Sequence, residues 1–337
     1  MKPAHASSIK LLLVPLLAGL LLATASSKDD ESDARQADET LSAVVQVKMK
    51  AIPDARTSHY LGSEREGSGI LIDNKGHLLT IGYIVLEADT IEVTTADGKT
   101  VPASLVGYDH NTGFAILRAA LPLDAKPIAL GDSSAVEERD PVMVMPYGGR
   151  DAVSLAFVVS RREFTANWEY LLDSAIFITP PTPHWAGSAL IDRRGRLVGV
   201  GSLLVRDSAQ TETPVPGNMF VPIDLVKPIL SDMIATGRAG PAHPWLGLST
   251  DEVSGHLVVV RVSPEGPAEA AGIRGGDIVV GVGNDEVKTQ ADFYRKVWSL
   301  GSAGVEVPLK VLQGVAVKDF KLRSVARADY LRKKPTY

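Results

Sequence analysis

Short apolar runs separated by turn residues recur through residues 41–222, and this repetition limits the fold more than any other feature. Runs of this kind are typical of strands in a barrel or sandwich, because each ends where turn residues let the chain reverse. Asn74-Lys75-Gly76 and Asp97-Gly98 are two such turns, and Asp-Gly favours a tight hairpin. The first half of the region contains these predicted strands: Ala43–Val47, Gly69–Ile72, His77–Val85, Thr90–Val93, Val101–Val106 and Phe114–Leu117.

The second half repeats the pattern and ends in a helix. Its predicted strands are Val142–Met145, Ala152–Ser160, Tyr170–Ile178, Ala189–Ile191, Leu197–Gly201 and Gly217–Ile223. The charged run Arg161-Arg162-Glu163 predicts a solvated strand end. Asp224 is a candidate cap for a helix running to about Thr236, and Gly237 can end that helix.

The N-terminal segment has the pattern of an export signal. Residues 1–25 combine early lysines, an apolar run over 11–23 and the small-residue sequence Ala23-Thr24-Ala25. The apolar run is shorter than the ~20 residues of a spanning helix, so no stable membrane span is expected unless the signal stays uncleaved. Residues 26–40 are polar and acidic without periodicity, which predicts a disordered spacer.

Composition excludes several classes of function. The net charge of −5 lacks the basic excess of a nucleic-acid-binding protein. The 7 histidines are scattered without ligand spacing, so neither a metal site nor a cofactor is predicted. There are 0 cysteines, so an exported protein of this sequence holds its fold by core burial rather than by disulfides.

Two motifs in the first half carry a family resemblance. Gly67–Ile72 reads GSGILI, and Gly76–Thr80 reads GHLLT. Together they resemble the opening of the HtrA/DegP family of envelope serine proteases. The resemblance extends over residues 41 to 325. It implies a mainly β fold, with a trypsin-like double β-barrel followed by a C-terminal α+β PDZ domain.

All three positions that the resemblance aligns with the family's catalytic triad differ in this chain. Tyr83 stands at the histidine position, Gly113 at the aspartate position and Ala186 at the serine position. A triad needs a nucleophile, a base and a carboxylate that orients the base. Tyrosine is a poor base at neutral pH, and glycine and alanine supply neither group. On this ground, the chain is predicted to be no enzyme: an inactive serine protease homologue without catalytic residues.

The oxyanion hole of the family also looks altered. His184 stands where the resemblance places a glycine, and residues other than glycine resist unusual backbone angles. Trp185 follows it, and we expect this side chain to pack into or over the cleft.

A rearranged site is the alternative to an inactive one. Its available groups are Ser188, His184, His110 and Asp109, and nothing in the spacing brings them into contact. The simpler interpretation makes Ser188 a small residue at the start of a buried strand, and His77 and His110 exposed turn residues. Serine-type endopeptidase activity through Ser188 or an unrecognised base remains the alternative.

Residues 245–325 resemble the PDZ domains of the same family. The run Pro264–Ile278 is a long match, and Trp245–Leu248 lies where the family binds a terminal carboxylate. Thr289 can begin a helix that Gly301 ends. PDZ domains bind extended peptides at a sheet edge. The predicted peptide-binding residues are Trp245, Leu246, Gly247, Leu248, Phe293 and Val297. A docked domain with its groove covered by the barrel or its own tail remains open.

These inferences define a complete prediction. The predicted segments are a signal peptide (1–25), a disordered spacer (26–40), a trypsin-like domain (41–236), a linker (237–244), a PDZ domain (245–325) and a tail (326–337). The predicted function is a periplasmic or secreted, non-catalytic pseudoprotease that binds peptides or protein C-termini as a chaperone, scaffold or regulator of an active protease. A purely structural assembly subunit is a further alternative. The family's trimers imply a homo-oligomer by resemblance alone.

Overall fold

The structure is a computed structural model that describes residues 38–333. The predicted signal peptide and residues 26–37 of the predicted spacer lie outside this range. Residues 38–42 form the first helix (α1), so the spacer's last residues are helical rather than disordered. From Thr40 to the last described residue, the chain forms one compact unit that includes both barrels and the PDZ region.

The first barrel closes from antiparallel strands in the order β1-β2-β3-β6-β5-β4. A short helix, α2 (Ser58–Leu61), lies between its first two strands. The six predicted strands are all present, but the one predicted over His77–Val85 ends at Ile81, and a 3-10 helix follows at Gly82–Ile84. Their bounds are β1 Val44–Ala51, β2 Glu64–Leu71, β3 His77–Ile81, β4 Ala88–Thr94, β5 Thr100–Tyr108 and β6 Phe114–Ala119.

The second barrel closes in the order β10-β11-β12-β9-β8-β7. Its strands are β7 Pro141–Met145, β8 Ser154–Ala166, β9 Tyr170–Thr179, β10 Ala189–Ile191, β11 Leu197–Val205 and β12 Gly217–Pro222. Strands β8 and β9 are long, with 13 and 10 residues, and pair up to Ala166 opposite Tyr170. Their hairpin therefore ends in the short turn 167–169.

The charged run in β8 is not a solvated strand end, so that prediction was wrong. Arg161 donates to the carbonyls of Ser133 and Val136. The Arg162 guanidinium lies over the Phe177 ring, 3.6 Å from its centroid. The charges are tolerated inside the strand because each guanidinium is paired with carbonyl oxygens or an aromatic face.

The helix after the second barrel begins later than predicted. It is α3 (Leu230–Thr236), and Asp224 does not cap it. Asp224 instead accepts a hydrogen bond from the Ser133 hydroxyl at 2.7 Å. Pro228 has no N–H to donate, which hinders a continuous helix from Asp224. Gly237 ends the helix in the left-handed conformation, as predicted.

The PDZ region is a sheet of order β13-β14-β15-β17-β18, with β16 paired to β15. The Thr289 side chain caps α5, as predicted, by accepting from the Asp292 amide. A last helix, α6 (Arg327–Tyr330), follows the sheet. The other elements are β13 Leu248–Val253, β14 His256–Val262, α4 Pro267–Ala270, β15 Ile278–Val282, β16 Asp285–Glu286, α5 Gln290–Ser299, β17 Glu306–Gln313 and β18 Ala316–Arg323.

The predicted architecture is confirmed: two closed, six-stranded antiparallel β-barrels precede a smaller domain of strands and helices. The barrel strands pack their apolar side chains inward, and the PDZ sheet packs on Phe293, Tyr294 and Val297 of α5. Over residues 38–333, no helix combines the length and apolar character needed to cross a bilayer.

Candidate functional site

The segments that carry Tyr83, Gly113 and Ala186 meet where the two barrels face each other. The Gly82 amide donates to the Gly113 carbonyl at 2.7 Å. The Ser68 amide on β2 donates to the Ala186 carbonyl at 2.8 Å. The structure thus brings the three predicted triad positions into one region, while their assignment to the triad stays a prediction.

Tyr83 fills part of this cleft as a hydrogen-bond donor. Its hydroxyl donates to the Ser202 carbonyl on β11 at 2.8 Å, so the phenol joins the two barrels. Burial raises the pKa of Tyr83 well above its usual value, although a hydrogen bond with Trp185 opposes this rise. The hydroxyl therefore keeps its proton at any physiological pH.

The loop before β10 is held close to both barrels by a glycine. Gly187 has φ +72°, and a Cβ there would lie 2.1 Å from the Ser68 carbonyl oxygen. Ser188 is fully buried, and its hydroxyl donates to the Trp185 carbonyl at 2.9 Å. The exposed His184 directs its backbone N–H to the Thr182 hydroxyl at 3.4 Å, within the same loop.

The candidate groups for a rearranged site lie in two separate segments, the loop before β10 and the turn after β5. Ser188 and His184 belong to the loop before β10, whereas Asp109 and His110 form the turn after β5. There, Asp109 accepts from the Thr112 amide and hydroxyl. Burial lowers the pKa of His110 to about 3, so its ring is neutral at physiological pH. The prediction that His77 and His110 are exposed was wrong: His77 lies buried in β3, with Nδ1 2.6 Å from an Asp73 oxygen, and His110 is half-buried in its turn.

The predicted carboxylate-binding loop, Trp245–Leu248, holds a carboxylate of the chain itself. Glu169 Oε1 accepts from the amides of Gly247 at 2.7 Å, Leu248 at 3.1 Å and Leu246 at 3.2 Å. Glu169 Oε2 accepts from Leu246 at 3.0 Å. Three successive backbone donors converge on one carboxylate, the arrangement that binds anions in protein loops.

Glycine is needed in this loop for two reasons. Gly247 has φ +75°, a conformation that other residues adopt only with strain. A Cβ at this position would lie 3.1 Å from the Trp245 ring and 3.3 Å from Ser263 Cβ. The glycine therefore allows both the turn of the amides toward Glu169 and the close approach of Trp245.

The turn of the β8–β9 hairpin carries Glu169 into the PDZ domain. Glu169 has φ +61°, an uncommon value for a residue other than glycine. Next to it, the Ala166 carbonyl accepts a hydrogen bond from the Tyr294 hydroxyl of α5 at 2.8 Å. Burial raises the pKa of the Glu169 carboxyl to about 7, although the loop amides and the Arg327 charge act in the opposite direction.

The hairpin also covers the groove beside α5. Leu171 packs against the apolar core of the PDZ domain. Arg295 on α5 forms ion pairs with Glu163 at 2.6 Å and Asp173 at 2.5 Å. All six predicted peptide-binding residues are buried. The hairpin of the second barrel therefore lies against the groove, which is one of the alternatives left open by the sequence.

A second docking contact joins the PDZ region to the first barrel. The Tyr330 ring packs on Trp245 at 4.4 Å between centroids, and the Arg56 guanidinium lies 4.3 Å from the Tyr330 ring. The Arg332 amide donates to Glu87 at 2.8 Å. The tail is therefore docked as far as Arg332, and residues 334–337 lie outside the described range.

Sequence reasoning missed Glu169 as a functional residue. The turn Asn167-Trp168-Glu169 carries no motif, and Gly247 is 78 positions away. Long-range contacts of this kind leave no periodic signal. Within residues 38–333, no group of three histidine, aspartate or glutamate residues could hold a metal ion.

Two family profiles match the chain. The profile of the trypsin-like peptidase domain matches residues 67–200, and that of the PDZ domain matches residues 244–323. The chain is therefore a protein with a trypsin-like peptidase domain and a PDZ domain.

The relatives narrow this class. The serine endoprotease DegS of Salmonella typhimurium is 25% identical over 264 residues, which are 73% of either chain. The putative serine protease HhoA of Synechocystis is 29% identical, over 70% of this chain and 64% of its own length. The serine protease PepD of Mycobacterium tuberculosis is 29% identical, over 71% of this chain and 56% of its own length. The chain thus spans less than two thirds of HhoA and PepD.

A solved structure titled HtrA-type protease AlgW with decapeptide shares the fold. Its TM-score is 0.54 at 21% identity, over 90% of this chain and 99% of that one. This likeness shows that the two chains share a fold. By its profiles and relatives, the chain is similar to HtrA/DegS-type serine proteases with a PDZ domain.

These comparisons correct one prediction from the sequence. The substitutions at Tyr83, Gly113 and Ala186 led to the prediction that the chain is no enzyme. The relatives contradict it, because they are named serine endoproteases or serine proteases and point to protease activity.

Proposed function

We propose that this chain binds the C-termini of peptides or proteins in the bacterial cell envelope through its PDZ domain. The observation that carries the proposal is the convergence of three loop amides on one carboxylate. Backbone amides recognise a carboxylate whatever chain it belongs to, so a free C-terminus meets the same donors as Glu169. Phe293 and Val297 supply an apolar surface beside the loop.

The envelope location is part of the proposal. It rests on the predicted export signal, residues 1–25, which lies outside the described range. It is also supported by a relative from Pseudomonas putida, 26% identical and named a probable periplasmic serine endoprotease. Cell fractionation should recover the protein with periplasmic or secreted markers, and recovery with cytoplasmic markers alone would contradict this part.

Capture from a peptide library tests the binding proposal. Each peptide is presented twice, once with a free C-terminal carboxylate and once amidated. The bait is the Glu169→Ala variant, whose loop has lost its internal carboxylate. We expect the free acids to be captured at least about tenfold more strongly, because a charged hydrogen-bond acceptor is lost on amidation. Equal capture of acids and amides would contradict C-terminal recognition.

Serine-type endopeptidase activity is the second candidate function. The names of the relatives favour it, and Ser188 is the candidate nucleophile from the sequence. Casein turnover by the full chain tests the activity, and Ser188→Ala tests the residue. Ser202→Ala is a matched control, since Ser202 is also a buried serine of the second barrel. Turnover by Ser188→Ala equal to that of the Ser202→Ala control would dispose of the Ser188 assignment.

A further inference from the structure

We propose that the turn of the β8–β9 hairpin is an internal ligand of the PDZ domain, in which Glu169 substitutes for the terminal carboxylate of a peptide. External C-termini would then bind only when this turn leaves the loop. The inference rests on the proposed C-terminal recognition. It adds that Glu169 competes with external C-termini for the same loop.

The contacts of Glu169 use the donors that a terminal carboxylate would need. Its two oxygens take the amides of Leu246, Gly247 and Leu248, all within 3.2 Å. A second carboxylate cannot reach the same three N–H groups while Glu169 is in place. Binding of Glu169 and binding of a free C-terminus are therefore mutually exclusive.

The hairpin also takes the place beside α5 where the rest of a peptide would lie. The Ala166 carbonyl uses the Tyr294 hydroxyl, and Leu171 packs on the cluster that includes Phe293 and Val297. Phe293 is 1% exposed and Val297 is 2% exposed within this cluster, and Leu171 is one of the side chains that pack against it. The apolar contribution of Leu171 indicates that a competing peptide carries an apolar side chain at or near its end.

The flanking contacts are weak enough for the turn to be released. Arg295 pairs with Glu163 and Asp173, but these side chains are 48%, 42% and 80% exposed. Exposed ion pairs contribute little to stability. The turn is also held by the Tyr294 hydroxyl on the Ala166 carbonyl at 2.8 Å and by Arg327 on the Trp168 carbonyl at 3.4 Å. The Glu169 carboxylate makes four amide contacts within 3.2 Å, so it is the main polar anchor, and its removal should favour release of the turn from the loop.

Fluorescence anisotropy with one peptide tests the inference. The probe is a labelled decapeptide ending in leucine, with a free carboxylate or an amide. It is titrated into the full-length protein, Glu169→Ala and the control Glu163→Gln, which removes a carboxylate of the same hairpin that does not enter the loop. We expect Glu169→Ala to bind the free acid at least about tenfold more tightly than the wild type, and Glu163→Gln to change affinity less than about twofold.

The outcomes separate the two proposals. If the wild type and Glu169→Ala bind the free acid equally and both prefer it to the amide, the internal-ligand inference is wrong and C-terminal recognition stands. If neither protein prefers the acid, C-terminal recognition itself fails, and this inference fails with it.

Hydrogen exchange on the wild type gives a second test that does not depend on a variant. Saturating peptide should increase amide exchange at residues 166–170, because the displaced turn loses its contacts with the PDZ domain. Unchanged exchange at these residues, with the peptide bound at Leu246–Leu248, would overturn the inference.

Discussion

Two places in the molecule are each bridged by one side chain: the cleft between the barrels by Tyr83, and the loop Trp245–Leu248 of the PDZ domain by Glu169. In the cleft, the Tyr83 phenol of the first barrel makes a neutral hydrogen bond to a carbonyl of the second. In the loop, the Glu169 carboxylate of the second barrel takes three amides of the PDZ domain. The chemistry of the cleft depends on the side chains at a few positions, whereas the loop recognises its ligand through backbone groups that persist when side chains change.

The largest expected effect is structural and concerns the cleft. Gly187→Ala would place a Cβ 2.1 Å from the Ser68 carbonyl oxygen at φ +72°. We expect a loss of about 3 kcal/mol or more in the free energy of unfolding, because backbone strain and a clash with backbone add together. Urea unfolding measures the loss.

Gly98→Ala is the matched control for this substitution. Gly98 has φ +86° but nothing within 4 Å of the added Cβ, so only the strain of about 1 kcal/mol applies. Equal losses for the two variants would show that the Gly187 loop is not packed against Ser68.

The next largest effect is expected on peptide binding and concerns the backbone of the PDZ loop Trp245–Leu248. Gly247→Ala, added to Glu169→Ala, should weaken binding of the free-acid peptide by at least about tenfold, since strain at φ +75° turns the amides away. Gly255→Ala is the control, because Gly255 has φ +77° with open space around it. Anisotropy measures both, and similar affinities would mean that the loop geometry does not govern recognition.

The pH dependence of peptide binding separates the internal ligand from the rest of the site. The pKa of docked Glu169 is raised from 4.5 to about 7 by burial. Docking is therefore fully favoured below the usual pKa and weakens as pH rises through about 7. The charged or titratable groups near it are Arg327, Tyr294 and Asp251.

Wild-type affinity for the free-acid peptide should accordingly rise from about pH 5 to about pH 7, by up to about tenfold per pH unit, and level off above that. Glu169→Gln cannot titrate at this position and should show a flat profile over the same range. A parallel rise in both proteins would assign the pH dependence to another group, such as His243, whose pKa burial lowers.

The smallest expected effect is at the phenol of the cleft. Tyr83→Phe removes one buried hydrogen bond to Ser202 and should reduce the free energy of unfolding by about 1 kcal/mol. Tyr147→Phe removes a more exposed hydroxyl that donates to Glu66, so we expect less than about 0.5 kcal/mol. A thermal scan of both variants ranks them, and the reverse order would argue against Tyr83 as a link between the barrels.

Local sequence signals predicted most of the fold. Of the PDZ site, the loop was predicted but the carboxylate that it binds was not. The strand Ala189–Ile191 and the Thr289 cap follow from alternation, turn residues and capping chemistry, and all of these act within a few residues. The loop Trp245–Leu248 followed from a family resemblance. Its occupant could not be predicted, because Glu169 lies 78 positions from Gly247 and meets it only through the packing of the second barrel on the PDZ domain.

The errors have the same origin. The paired Arg161 and Arg162 and the buried His77 have polar character that predicts exposure, but tertiary partners satisfy them inside the fold. Asp224 was expected to cap a helix because aspartate is common there, but Ser133, 91 positions away, takes its carboxylate.

The two docking contacts of the PDZ domain have a consequence for how the chain behaves when it is cut. Glu169 holds the domain from the second barrel, and Arg56 holds it from the first through Pro264, Glu265 and Tyr330. Neither contact passes through the linker 237–244. A protease that nicks the linker would therefore leave two fragments that stay associated, and they would migrate as one particle until denaturant separated them.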